Sequence, residues 1–151
     1  MKCSQRNTIK VNIVSNNPQL LVNEKTLTNV QQQETAKMGV HLIVDAWQAP
    51  ADILNDVDII RQTLVAAITA GEAMLIDLCV HQFSPQGVTA TATLAESHIA
   101  IHTWPEYGYF AADMFFCGQG KPKQALKIIQ ERLQAKHIQI KEFERGFPLG
   151  E

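Results

Sequence analysis

The sequence predicts an α+β domain: a two-layer sandwich in which one antiparallel sheet carries helices on a single face. Three observations point there. Several runs alternate or are continuously apolar in the manner of strands, whereas only two stretches show helical spacing. From Val88 onward the runs are joined by connections too short for parallel crossovers. The helices then fall on one side, and the other sheet face needs cover, for which a partner sheet is one solution.

The elements follow in order. Residues 1–37 are polar and lack aromatics, with Asn16, Asn17, Pro18, Asn23 and the run Gln31, Gln32, Gln33. Such a segment buries too little to offset its ordering entropy, so it is expected to be a largely disordered extension; Ile9 to Val14 alternates and could pair as an edge strand. The domain proper is expected over 38–151. Val40 to Ala46 suits a buried strand. Pro50 and Asp52 open a helix whose apolar positions are Ile53, Val57, Ile60, Leu64 and Ile68, with Gly71 as its stop. Met74 to Phe83 reads as a strand, and Ser84-Pro85-Gln86-Gly87 as a turn. Val88 to Leu94, His98 to Trp104 and Tyr109 to Phe116 are three further strands. A second helix begins at Lys121 and Pro122, with Leu126, Ile129 and Leu133 on its apolar stripe, and Ile138 to Phe143 alternates as a last strand.

Composition excludes several classes of function. A chain of 151 residues is long enough for one domain with a real core, and 46% hydrophobic against 19% charged residues is a globular balance. A net charge of -2 without a basic block leaves no footprint for nucleic acid. No apolar run approaches the roughly 20 residues that cross a bilayer, and the N-terminus has no signal-peptide core, so no membrane association and a cytoplasmic location are expected. Cys3, Cys79 and Cys117 cannot all pair and lack metal-finger spacing, which fits a reducing compartment.

Chemistry concentrates between Leu94 and Tyr109, which holds one serine, two histidines, two carboxylates and three aromatic residues. Read as a strand, His98, Ala100, His102 and Trp104 share a face, and Ser97, Ile99, Ile101 and Thr103 share the other. Pro105 and Gly108 end the strand and leave Glu106 and Tyr107 at a loop tip. A metal site from His98, His102 and Asp113 is weak, because histidines four apart on a strand sit about 13 Å from each other. No metal is expected.

Glu96-Ser97-His98, His102-Thr103-Trp104-Pro105-Glu106-Tyr107-Gly108-Tyr109 and Cys117 together resemble the bacterial and archaeal S-adenosylmethionine decarboxylase proenzymes. The resemblance runs from about Met38 to Gly146 and includes His41 to Asp45, Phe83 to Val88, and Glu144-Arg145-Gly146. It implies a pyruvoyl-dependent enzyme that converts S-adenosylmethionine to its decarboxylated form and carbon dioxide, for spermidine biosynthesis. Decarboxylating an α-amino acid needs an electron sink that no ordinary side chain offers, and a carbonyl that condenses with the substrate amine can be one. The family makes that carbonyl from its own backbone, so the resemblance implies cleavage between Glu96 and Ser97, with Ser97 becoming the pyruvoyl group. It also implies a homodimer of cleaved protomers, with sheets packed in a four-layer assembly and each active unit borrowing residues across the contact.

The resemblance carries roles residue by residue. Ser97 is the nucleophile, His102 the base of self-processing, and Cys117 the acid that protonates the substrate α-carbon. Phe83, Trp104 and Glu106 match substrate contacts: aromatic faces suit an adenine or a sulfonium, and a carboxylate suits ribose hydroxyls. His41 matches a position near the site and is read with the substrate contacts. His98 and Cys79 carry no family role and read as structural, Cys79 as core filler. Strict alternation separates Ser97 from His102, so a departure from strand geometry is expected near Ser97.

Two features depart from the family pattern. Thr89 stands where the family usually has a processing serine, keeping a donor but adding a methyl and stiffening χ1. Thr89-Ala90-Thr91-Ala92-Thr93 is more polar than the valine-rich run of relatives, which puts packing under that face in question. Two alternatives therefore stand beside the first reading: the same scaffold acting on arginine or ornithine, and an uncleaved binding or regulatory domain. Phe83, Trp104 and Glu106 favour the nucleoside substrate, since a linear amino acid has no ribose for that carboxylate.

Overall fold

The structure is a computed structural model and describes residues 37–147. The expectations for residues 1–36, the Ile9 to Val14 strand among them, lie outside the described residues. The elements are β1 (Gly39–Trp47), α1 (Ala51–Leu54), α2 (Val57–Ala70), β2 (Leu75–Gln82), β3 (Val88–Leu94), β4 (Ser97–Trp104), a one-turn 3-10 helix (Pro105–Tyr107), β5 (Tyr109–Cys117), α3 (Pro122–Leu133) and β6 (His137–Arg145). The six strands form one antiparallel sheet in the order β2-β3-β4-β5-β1-β6.

Period-two alternation sorts the strands into two faces. Leu42, Val44 and Ala46 of β1, Ile99 and Ile101 of β4, and Phe110, Ala112, Met114 and Phe116 of β5 are buried. They share one core with Ile60, Leu64 and Ala67 of α2 and with Ala125, Leu126, Ile129 and Leu133 of α3. The polar run of β3 keeps its threonines off this core. Ala90 and Ala92 are buried on the helix side, and Thr91 and Thr93 are exposed on the other. The face away from the helices presents polar and aromatic side chains with several half-exposed apolar ones, Trp47, Trp104, Ile43 and Phe143 among them.

Several local expectations need correction. The first helix is two. Asn55 and the extended Asp56 break it, and the Asp56 carboxylate caps α2 by accepting from the N–H groups of Asp58 (2.8 Å) and Ile59 (2.9 Å). Helix α2 stops at Gly71 as expected, though the left-handed residue there is Glu72 (φ 54). A Cβ at Gly71 would lie 2.9 Å from the Phe116 ring, so this glycine serves close packing. Cys79 is not core filler: it lies exposed on the open sheet face, paired with Thr91. Among the described residues no helix is long and apolar enough to cross a membrane.

Candidate active site

The expected site residues fall into two groups at opposite ends of the sheet. The first lies at the β3–β4 hairpin, where Leu94 pairs with Ser97 and only Ala95 and Glu96 form the loop. Glu96 takes φ 65, a left-handed conformation that costs a non-glycine residue about 1–2 kcal/mol. The Ala95 N–H holds the loop by donating to the Met74 carbonyl (2.9 Å). Ser97 opens β4, and its Oγ accepts from the Cys117 N–H at 3.1 Å, leaving the hydroxyl proton free for another acceptor. Glu72, Met74, Glu96, Ser97, Cys117 and Gly118 are among the residues lining a cleft of about 310 Å³ here.

The second group lies at the other end of β4. Thr89 and His102 are direct cross-strand neighbours, with Thr89 Oγ1 2.9 Å from His102 Nδ1. His102 stands beside Trp104 (ring centroids 6.3 Å), Trp104 beside Tyr109 (5.2 Å), and Tyr109 beside Trp47 (5.5 Å). This aromatic row crosses three strands because residues 104, 109 and 47 fall on one face at the same end of three neighbouring strands. Tyr109 donates to Asp45 Oδ1 at 2.6 Å. Its phenol is pushed up to about 12, by burial first and then by the bond to Asp45 and its charge. Glu106 sits on the exposed 3-10 turn, where Gln86 Nε2 donates to its Oε2 at 3.1 Å, and Phe83 packs edge-to-face on His81 (4.7 Å).

The departure expected within the strand near Ser97 lies just before it. The kink is at Glu96, and from Ser97 onward β4 keeps regular register with both neighbours. Ser97 and His102 therefore stay on opposite faces, about 16 Å apart along the strand. The structure brings together Glu96, Ser97 and Cys117, and separately Phe83, Thr89, His102, Trp104 and Glu106.

His41 belongs to neither group. Its Nε2 lies 2.9 Å from Asp113 Oδ2, and His98 Nε2 lies 2.8 Å from Asp113 Oδ1. Arg145 donates from Nη1 to His41 Nδ1 (3.1 Å), and since a guanidinium only donates, Nδ1 carries the lone pair and Nε2 the proton. Both ring nitrogens are thus engaged within this chain. The same tautomer opposes a metal at His41, His98 and Asp113, whose ligand atoms lie within 4.8 Å of one another. His41 has no lone pair to offer toward the cluster. Burial alone would raise Asp113, but the hydrogen bonds from His98 and His41 outweigh it and hold the carboxyl below its usual value.

Sequence reasoning missed Trp47, Tyr109 and Asp45 as neighbours of the site, and Asp113 as the partner of two histidines. An alternating Asp45, Trp47 pair in β1 was visible, but that both reach Tyr109 depends on a register that sequence does not set.

The model of the S-adenosylmethionine decarboxylase family matches residues 40–146. An S-adenosylmethionine decarboxylase proenzyme of Prochlorococcus marinus is 44% identical over 112 residues, covering 74% of this chain and 90% of the relative. One of Methanococcus maripaludis is 42% identical over 111 residues, covering 73% and 91%. The crystal structure of the adenosylmethionine decarboxylase from Aquifex aeolicus superposes with a TM-score of 0.71 at 34% identity, covering 76% of this chain and 96% of that one. The match spans every described strand and helix, and with it both groups of site residues. The chain belongs to the S-adenosylmethionine decarboxylase family.

Proposed function

We propose that this protein is a self-processing decarboxylase that converts S-adenosylmethionine to S-adenosylmethioninamine and carbon dioxide, using a pyruvoyl group made from Ser97. The observation that carries the reading is the hairpin loop itself: a left-handed Glu96 directly before a serine whose oxygen is pinned by the Cys117 N–H. Cleavage begins when Ser97 Oγ attacks the Glu96 carbonyl carbon and the amide nitrogen leaves, giving an ester. Loss of the Ser97 Cα proton then expels the Glu96 carboxylate and leaves dehydroalanine at 97. Water replaces its nitrogen, releasing ammonia and leaving the pyruvoyl group.

Strain alone does not drive the first step. A left-handed residue stores about 1–2 kcal/mol, whereas amide resonance is worth a rotational barrier of about 18–20 kcal/mol. The hairpin therefore orients the carbonyl, and donors must stabilise the oxyanion. Thr89 and His102 are the pair suited to that task, with His102 also taking the proton of the elimination. One chain cannot bring them to its own Ser97. We accordingly assign the active unit to a homodimer: one protomer supplies Glu96, Ser97 and Cys117, and the other supplies Phe83, Thr89, His102, Trp104 and Glu106. The open sheet face, with Trp47, Ile43 and Phe143 exposed at 37%, 37% and 46%, is the surface a second sheet would cover.

After maturation the pyruvoyl carbonyl supplies the electron sink for loss of carbon dioxide. Cys117 then delivers a proton to the α-carbon from beside residue 97. Trp104 and Phe83 hold the adenine and sulfonium, and Glu106 accepts from the ribose hydroxyls. His41 supports the Phe115–Cys117 end of β5 through Asp113. The cytoplasm is the compartment in which we place this chemistry. Carbon dioxide release from carboxyl-labelled S-adenosylmethionine, arginine and ornithine tests the reading. Release from S-adenosylmethionine alone supports it; preference for arginine or ornithine, or no release from any, refutes it.

A further inference from the structure

Asn55 lies in the helix layer between α1 and α2, away from every motif, yet it reaches the turn that bears Phe83. Its side-chain Oδ1 accepts from the Gly87 N–H at 2.9 Å, and its backbone oxygen accepts from Gln82 Nε2 at 3.0 Å. The Gly87 carbonyl in turn accepts from the Phe83 N–H at 2.8 Å, closing the turn. Both backbone groups of Gly87 are therefore engaged. At φ 102, with a would-be Cβ 3.1 Å from the Thr103 carbonyl, Gly87 has no room to move toward β4. The neighbouring Leu54 carbonyl accepts from Thr103 Oγ1 (2.8 Å), which itself accepts from the Val88 N–H (2.8 Å). Leu54 and Asn55 thus tie the start of β3 to the end of β4, the two chain segments that lead to Phe83 and Glu106.

The turn returns the contact on its far side, where Gln86 Nε2 donates to Glu106 Oε2 at 3.1 Å. A carboxylate offers about four lone-pair sites, so Gln86 uses one and leaves Oε1 wholly open. Without that bond an exposed glutamate on a one-turn helix is free to change rotamer. We infer that Asn55 and Gln86 are positioning residues that set the Phe83 ring and the Glu106 carboxylate for the nucleoside end of the substrate, an inference resting on the substrate reading above. Neither residue touches the reacting atoms; they act through Gly87 and Glu106.

The test uses full-length, self-cleaved enzyme and two readouts: KM and kcat for S-adenosylmethionine, and the inhibition constant of 5′-methylthioadenosine, which has the adenine and ribose but no amino-acid group. Gln86→Leu and Asn55→Ala are expected to raise both KM and the inhibition constant about three- to tenfold with little change in kcat. Asn55→Asp keeps an acceptor for Gly87 and is expected to restore both values. Glu106→Gln serves as the reference. If Glu106→Gln raises KM while Gln86→Leu and Asn55→Ala do not, the positioning role is overturned and the substrate reading stands. If Glu106→Gln also leaves KM unchanged, the assignment of Glu106 fails and takes this inference with it. Gln86 is exposed, so its variant folds and decides the question even if Asn55→Ala is destabilised.

Discussion

Co-expression of two inactive variants, Ser97→Ala and His102→Ala, should restore activity that neither has alone. The magnitude follows from the geometry of β4. Ser97 and His102 are five residues apart, on opposite faces and about 16 Å from each other, and both lie in unbroken register with β3. A Ser97→Ala chain has no nucleophile, and a His102→Ala chain has no base to lend. In a mixed dimer one site combines the intact Ser97 of the His102→Ala chain with the intact His102 of the Ser97→Ala chain; the other site has neither. Random pairing makes about half of all dimers mixed, and one of their two sites is complete, so about a quarter of the wild-type number of sites should form. About half of the His102→Ala chains should then be cleaved. Differentially tagged chains weighed intact in the unfractionated mixture give the cleaved fraction directly, and carbon dioxide release gives the active fraction; purification through both tags, which keeps only mixed dimers, should bring cleavage of the His102→Ala chain close to completion. If the mixed sample cleaves no more than the two variants do separately, the two-protomer site is wrong. Full cleavage of His102→Ala by itself would remove the base from its role.

The other predictions are more local. Cys117→Ala should still cleave, because the Ser97 bond uses the backbone N–H of residue 117, but turnover should fall by about 10²-fold or more. Thr103→Val should lower stability by about 1–3 kcal/mol in urea unfolding, since it leaves the Leu54 carbonyl and the Val88 N–H without their partner. Stability should also depend on Tyr109 at high pH. The phenol titrates at 10.0 when unfolded and about 12 when folded, so the folded state holds this proton more tightly. Its contribution is whole below pH 10 and is lost as pH rises through 12. Urea unfolding of the wild type should therefore steepen its decline over that window relative to Tyr109→Phe; parallel profiles would contradict the upward shift that burial and the Asp45 contact impose.

Most of the fold was legible because alternation in β3, β4 and β5 is clean and their connections are short. The run Tyr109 to Phe116 was read as a strand, and the structure buries Phe110, Ala112, Met114 and Phe116 on one side of it. The break at Asn55 and Asp56 was missed although Asn-Asp before an apolar periodic run is a capping signature, because the apolar spacing continues smoothly across it. Cys79 was misplaced for the opposite reason: a strand tells which residues share a face, but not which face is inside when both carry small side chains. The site was legible as a list and not as an arrangement. Motif residues named Ser97, His102 and Cys117 together, whereas the parity of five residues on an undistorted strand divides them. Asn55 carried no signal of a contact with the Phe83 turn, since its reach to Gly87 depends on how α1 packs beside β4.

The central claim is that a backbone amide in this chain is cut by its own serine. Intact mass of the freshly purified protein measures it most directly. Two fragments are expected, residues 1–96 ending in the Glu96 carboxylate and residues 97–151 beginning in a pyruvoyl group with no free amine, whereas Ser97→Ala stays whole. A wild-type preparation that remains one chain of 151 residues would contradict it.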